Sequence, residues 1–305
     1  MHLGFALPVS GTWATPENQL RVAQAAEGLG YHSLWVFQRL LYALHPRNDY
    51  PPLPGQPWPK AFERAMDPII TLAFVASATR RIRLGTSVLI MPFYQPIVLA
   101  KQLATLDVVS GGRLDVGLGI GWSEDEYEAV GVPFRQRGRR ADEFIACLKT
   151  IWTQDIVEFA GEFYRVPAAK VEPKPLQKPH PPITVGGYSP VIIRRAVTLG
   201  DGFNGGNVPL SRVAPMVKEL REAAAIAGRD PARLQVVSRG TYEVHEAPQG
   251  RERRPLRGSL AEIREDVQRY AEAGLTELFL EPNFQPGGAE IARVLADMEA
   301  LAPGR

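Results

Sequence analysis

Ser110-Gly111-Gly112-Arg113-Leu114-Asp115-Val116-Gly117-Leu118-Gly119-Ile120-Gly121-Trp122 is the stretch from which the fold can be read. A Gly-Gly break ends one periodic segment, and a short Val/Leu/Ile run follows. Within that run Gly117, Gly119 and Gly121 are spaced by two. Successive strand side chains point to opposite faces, so this alternation leaves one face bare. A flat ligand or a neighbouring backbone can approach closely there. Ser123 and Glu126 then match a capping box, which predicts a helix directly after Trp122. The spacing is not the Gly-x-Gly-x-x-Gly dinucleotide fingerprint.

Outward from this stretch, short apolar runs alternate with amphipathic ones. Strands are predicted at Leu3–Leu7, Ser33–Phe37, Ile82–Ile90, Arg113–Ile120, Ile183–Gly187, Gly202–Gly206, Leu234–Val244 and Thr276–Leu280. Helices intervene, the first capped by Thr15 with Pro16 at its first position and stopped by Gly30. Eight strand–helix units without a sequence repeat predict a parallel α/β architecture, and the count of eight favours a closed (βα)8 TIM barrel. A chain of 305 residues could hold two domains, but this reading assigns one barrel domain over 1–305. Insertions are expected after strands 2, 4 and 7. The first is the Pro-rich Arg39–Arg64 stretch. The second, Asp155–Pro182, includes a hairpin of Val157–Phe159 with Phe163–Arg165. The third is a basic loop, Gly250–Arg257, read as solvated and mobile with an anionic ligand as the alternative.

Composition narrows the function. Lys and Arg total 35 against 33 acidic residues, a net charge of +2, which gives no general drive toward nucleic acid or membrane. Cys147 is the single cysteine; it excludes an internal disulfide framework, suits a reducing cytoplasm and reads as a core thiol. The start lacks the pattern of a signal peptide, and no window reaches the ~18 apolar residues of a membrane span. The histidines are scattered without a metal-binding spacing, and His2 and His32 at strand starts read as structural.

In a barrel the active groups gather at the carboxyl ends of the strands. Those positions hold Gln38 and Arg39, then Ser87–Met91 with Phe93 and Tyr94, then Gly119–Trp122, and then Gly186-Gly187-Tyr188-Ser189. Ser189-Pro190 before an amphipathic run fits either a phosphate-binding helix start or a serine-capped tight turn. Glu124, Asp125, Glu126 and Glu128 read as a solvated helix start. No nucleophile–base pair can be assembled from these ends, so a bound cofactor is expected to carry the reaction, with a small molecule as substrate.

The chain resembles the bacterial luciferase-like flavin and deazaflavin oxidoreductases. Leu99-Ala100-Lys101-Gln102-Leu103-Ala104-Thr105-Leu106-Asp107 running into Ser110–Leu114 and Gly117–Trp122, Pro181-Pro182-Ile183 with Gly186-Gly187, and Gly200-Asp201-Gly202 carry the likeness. It is most similar to the actinobacterial-type branch that uses the deazaflavin coenzyme F420. The resemblance implies a (βα)8 barrel, commonly dimeric, with a non-proline cis peptide at Ser87-Val88 behind the cofactor ring. It also implies Ile120 and Gly121 beside the ring, Gly186, Gly187, Tyr188 and Ser189 around a phosphate, and Asn204, Gly206 and Asn207 along the cofactor tail. Where alcohol-oxidising members carry Asp-His after strand two this chain has Gln38-Arg39, and near their catalytic Glu it has Trp122. Neither Gln nor Arg removes a hydroxyl proton near neutral pH. The expectation is therefore hydride delivery from reduced F420 to an activated double bond or imine. Gln38 would contact the ring edge, while Arg39, Trp122 and Tyr42 or Tyr94 would shape the substrate pocket; Arg39 pairing with an acidic residue is the alternative. An FMN-dependent monooxygenase and a cofactor-binding protein without turnover are the competing readings.

Overall fold

Eight parallel strand positions close on themselves, and helices cover the outside. The computed structural model describes residues 1–187, 189, 191–250, 252–285 and 288–304. The chain opens with β1 (His2–Ala6), α1 (Pro16–Gly28) and β2 (Ser33–Val36), and α2 (Pro68–Ala76) follows the Pro-rich insertion. The third barrel position is made of two pieces, β3 (Arg83–Thr86) and β4 (Leu89–Ile90). Then come α3 (Pro96–Ser110), β5 (Leu114–Gly119), α4 (Glu124–Ala129), α5 (Arg137–Thr153) and the antiparallel hairpin of β6 (Val157–Ala160) with β7 (Arg165–Ala169). The second half runs β8 (Ile183–Gly186), α6 (Val191–Thr198), β9 (Gly202–Asn204), α7 (Leu210–Ile226) and β10 (Gln235–Thr241). The short pair β11 (Glu243–Val244) and β12 (Arg257–Gly258) precedes α8 (Leu260–Glu272), β13 (Glu277–Glu281) and α9 (Ile291–Ala300). The sheet order is β3-β2-β1-β13-β10-β9-β8-β5-β4, and a parallel β3–β5 pairing closes the ring.

Local chemistry sets the boundaries. Thr15 Oγ1 accepts from the Asn18 amide at 3.2 Å, Asp67 Oδ1 from that of Ile70 at 2.9 Å, and Pro16 and Pro68 follow these caps. Each cap satisfies an amide the first helical turn leaves open. Gly111, at φ 74°, ends α3 in the left-handed conformation and frees the chain to turn into β5.

Three strand expectations are revised. Ile82–Ile90 is not continuous: regular structure stops at Thr86, the Ser87-Val88 peptide is cis, and pairing resumes at Leu89. The seventh strand ends at Thr241, because Glu243–Val244 pair with Arg257–Gly258 and not with the barrel. The sixth is regular only over Gly202–Asn204. The hairpin expected near 157–165 is present, with its second arm at Arg165–Ala169.

At the amino-terminal end of the barrel His2 and His32 stack at 3.8 Å, and burial beside His2 lowers the His32 pKa to about 4. Cys147 is buried and its thiol is pushed up to about 11, which makes it inert. Among the described residues, no helix is long and apolar enough to cross a membrane, and no cluster of His, Cys, Asp and Glu has the makings of a metal site.

Candidate active site

The bare face of β5 is filled by its neighbour. A methyl group on Gly117 would lie 1.8 Å from the Thr86 carbonyl oxygen, and one on Gly119 would lie 2.5 Å from Val88 Cγ2. One on Gly186 of β8 would come within 2.5 Å of the Asn204 oxygen and 2.9 Å of Val88 Cγ1. The glycines thus admit the Thr86–Val88 segment against β5 and β8, and Val88 becomes part of a cavity wall. Of the two occupants the alternation allows, a neighbouring backbone is the one at Gly117.

Polar side chains pin that segment. Ser87 Oγ donates to Asn204 Oδ1 at 2.9 Å, Asn204 Nδ2 donates to the Thr86 carbonyl at 3.3 Å, and Arg239 Nη2 donates to the Ser87 carbonyl at 2.9 Å. Gln38 Oε1 accepts from the Ile90 amide at 2.7 Å while its Nε2 donates to the Tyr94 hydroxyl at 2.5 Å. Gln38 borders the cavity, with one N–H and one oxygen lone pair of its amide used within the protein. Tyr94 supports Gln38 from behind and Tyr42 packs edge-on against Trp58; neither is among the described lining residues, contrary to the expectation that one of them shapes the pocket.

The cavity itself holds about 390 Å³, within the ~300–1,000 Å³ typical of small-molecule sites. Gln38, Arg39, Ser87, Val88, Ile120, Gly121, Trp122, Gly186, Gly187, Ser189, Asn204 and Gly206 all line it. Tyr188 and Pro190 fall outside the described residues.

Arg39 lies 4.6 Å from the Trp122 ring centroid and 5.3 Å from that of Phe62. Its Nη1 stands 3.0 Å from Glu126 Oε2, on a carboxylate with no solvent exposure. This corrects the solvated helix start: Glu126 turns inward, and its Oε1 accepts from the Leu40 amide at 2.7 Å. Burial raises the Glu126 pKa, with Arg39 opposing the shift. Ser123 Oγ caps α4 through the Glu126 amide at 3.2 Å, so the cap forms while the predicted return bond from the Glu126 carboxylate is spent elsewhere. The Pro-rich insertion is tied over this corner. Asn48 Nδ2 donates to the Trp122 carbonyl at 2.6 Å and its Oδ1 accepts from the Glu124 amide at 2.9 Å, while Tyr50 and Trp58 pack on the Trp122 ring.

Three further guanidiniums line the cavity without having been singled out from the sequence: Arg137, Arg195 and Arg239. Arg137 sits 3.6 Å over the Phe134 ring with Nη1 donating to the Phe134 carbonyl at 2.8 Å, and its buried Nε has no hydrogen-bond partner among the described residues. Arg195 pairs with Asp142 and donates to the Gly138 carbonyl at 2.7 Å. Arg239 is surrounded by Phe37, Phe279 and Phe284, its guanidinium 5.4–6.0 Å from their centroids. No motif marks any of the three; a cation one or two turns into a helix beside a Gly-Gly turn was the available signal for Arg195. The basic loop is also less free than expected, because Arg253 pairs with fully buried Asp266 and with Glu262. Arg251 lies outside the described residues.

A model of the luciferase-like monooxygenase family matches residues 2–279. The chain belongs to this family. An uncharacterized protein of Mycobacterium tuberculosis is 36% identical over 236 residues, covering 73% of this chain and 77% of that protein. The FMNH2-dependent dimethylsulfone monooxygenase of Pseudomonas putida is 38% identical over 155 residues, 50% of this chain and 42% of that one. An F420-dependent secondary alcohol dehydrogenase, solved with an F420–acetone adduct, superposes with a TM-score of 0.79 at 18% identity, covering 99% of this chain and 98% of that chain; at that identity the likeness is one of fold. Family members serve as oxidoreductases on this barrel, and both flavin- and deazaflavin-dependent proteins stand among the matches.

Proposed function

We propose that this chain is an oxidoreductase that uses reduced coenzyme F420 to deliver hydride to an activated double bond or imine of a small organic substrate. One observation carries this reading. The described cavity lining contains four arginines and no carboxylate, imidazole, thiol or ammonium. Guanidinium stays protonated near neutral pH, so no lining group can take a hydroxyl proton, as alcohol oxidation would demand. Fixed cations instead suit a reaction in which negative charge grows on the substrate.

A flat, anion-tailed cofactor fits the residues present. Val88, Ile120 and Gly121 give an apolar wall, and the unsatisfied Arg137 Nε with Arg195, Gly187 and Ser189 gives an anion-binding corner. When bound, a reduced deazaflavin supplies the hydride. Arg137 and Arg195 hold the phosphate, Val88 braces the ring, and Arg39 between Trp122 and Phe62 attracts the electron-rich end of the substrate. Tyr50, Trp58 and Phe62 shield this corner from water.

The dimethylsulfone monooxygenase's dependence on FMNH2 favours a second reading, an FMN-dependent monooxygenase on the same cavity. Fluorescence titration of the purified protein with FMN and with F420 separates the two. Tight binding of F420 alone supports the first, and a clear preference for FMN replaces it. Binding without oxidation of the reduced cofactor by a broad acceptor panel would mark a cofactor-binding protein without turnover. Arg137→Ala should weaken binding of the phosphate-bearing cofactor by roughly 10-fold while leaving the ring without its phosphate unaffected. Equal losses for both would remove Arg137 from the phosphate corner.

A further inference from the structure

Beyond the cavity lies a larger hollow of about 1,900 Å³, which shares Tyr50, Pro51, Arg239 and Phe284 with it as lining residues. Trp13, Leu53, Val208 and Leu256 contribute an apolar wall. The charges on its lining are one-sided. Among the described lining residues Lys60, Arg64, Arg239, Arg254, Arg257 and Arg269 face only two acids, Glu63 and Glu272, in a chain whose whole net charge is +2. Carboxylates outside the lining answer three of these cations. Arg239 stands 3.8 Å from Glu281, Arg257 3.6 Å from Glu243 and Arg269 3.0 Å from Asp266. Lys60, Arg64 and Arg254 are exposed and have no acidic partner within ion-pair distance among the described residues.

Apolar walls with unanswered cations match an amphipathic anion: hydrocarbon displaces water from the walls, and the anionic end meets guanidinium or ammonium groups that need no other partner freed. The phosphate corner around Arg137, Arg195 and Ser189 belongs to the smaller cavity and contributes nothing to this hollow. A cofactor whose tail occupies that corner leaves the hollow to the substrate.

We propose that the hollow binds the substrate and that the substrate is an elongated apolar anion of the fatty-carboxylate class, its carboxylate at the hollow's cations and its hydride-accepting conjugated double bond or imine at the opposite end. This rests on the cofactor reading above, which puts the reacting end in the smaller cavity at Arg39, with Arg239 on the wall that the two spaces share.

The test is displacement of a fluorescent polyene fatty acid from the full chain, without cofactor, by dodecanoate and by dodecanol. Dodecanoate should compete at least ~10-fold better than dodecanol, and its advantage should shrink with added salt. In R64E/R254E, dodecanoate should lose roughly 10-fold while dodecanol changes less than about twofold. The milder R64A/R254A serves if the reversal impairs folding, and should show the same ordering with smaller losses. FMN and F420 titrations of the same variants should be unchanged. Equal binding of acid and alcohol, or binding of neither, would overturn the proposal while an intact cofactor titration leaves the function reading standing. Loss of cofactor affinity in R64E/R254E with dodecanoate binding retained would assign the hollow to a cofactor tail and likewise overturn it. Dodecanoate binding in a protein that takes neither cofactor would keep the proposed ligand and defeat the function reading.

Discussion

Arg39 ties the chemistry of the site to its packing. Its guanidinium lies between two aromatic rings and beside the fully buried Glu126 carboxylate, so removing it strands a charge that water cannot reach. Arg39→Ala should lower unfolding free energy by about 3 kcal/mol. Arg39→Ala/Glu126→Gln should recover much of that loss, because a neutral amide tolerates the vacancy better. Urea denaturation of the two variants and the wild type checks this; equal losses in single and double variants would mean the pair is not energetically coupled. Arg39 itself stands out in the sequence, where it occupies a strand end with Gln38. Its partner does not. Four acids crowd the first turns of α4, and nothing local shows which of them faces inward; that is fixed by Leu40, whose amide lies 86 positions away and takes Glu126 Oε1.

At the scale of the element, β5 shows how far a pattern can be read without its partner. Alternating glycines announce a bare face, but the backbone that fills it comes from a different strand, and only the family resemblance pointed to Ser87-Val88 as the irregular segment. Gly117→Ala should cost about 3 kcal/mol or more, since its methyl group would sit 1.8 Å from a carbonyl oxygen that Asn204 also holds. Gly28→Ala, at the end of α1 with nothing within 4 Å of the added carbon, should be neutral or stabilising by about 0.5 kcal/mol. Thermal melts of both variants give the comparison. A Gly117→Ala protein as stable as Gly28→Ala would mean the Thr86–Val88 segment can retreat, and the close fit would then have no part in shaping the cavity.

For the whole molecule, periodicity revealed the barrel because each strand–helix unit buries its own apolar face, a property of local sequence. The Pro-rich insertion's tie to Trp122, the guanidiniums of the cavity and the charged hollow were not legible, since each unites residues from insertions and strands far apart. The same holds for the polar layer inside the barrel. Glu277 lies there with Trp35 Nε1 2.7 Å away and Ser33 as a second donor, near the Arg83–Asp115 pair, and burial raises its pKa to about 7. The folded protein then keeps the Glu277 proton up to about pH 7, whereas the unfolded chain releases it near the ordinary glutamate value of 4.5. Between those values the native state binds more protons, so this group's contribution to stability falls as pH rises from about 4.5 through 7 and levels off above. The loss is on the order of 3 kcal/mol. Asp115, also raised by burial, adds a slope of the same sign, so the wild-type profile alone is not diagnostic. Glu277→Gln retains an acceptor for Trp35 and has no proton to release. The difference in unfolding free energy between wild type and this variant should therefore fall by about 2.5 kcal/mol between pH 5 and pH 8, and a difference that stays constant with pH would show that Glu277 titrates normally inside the barrel.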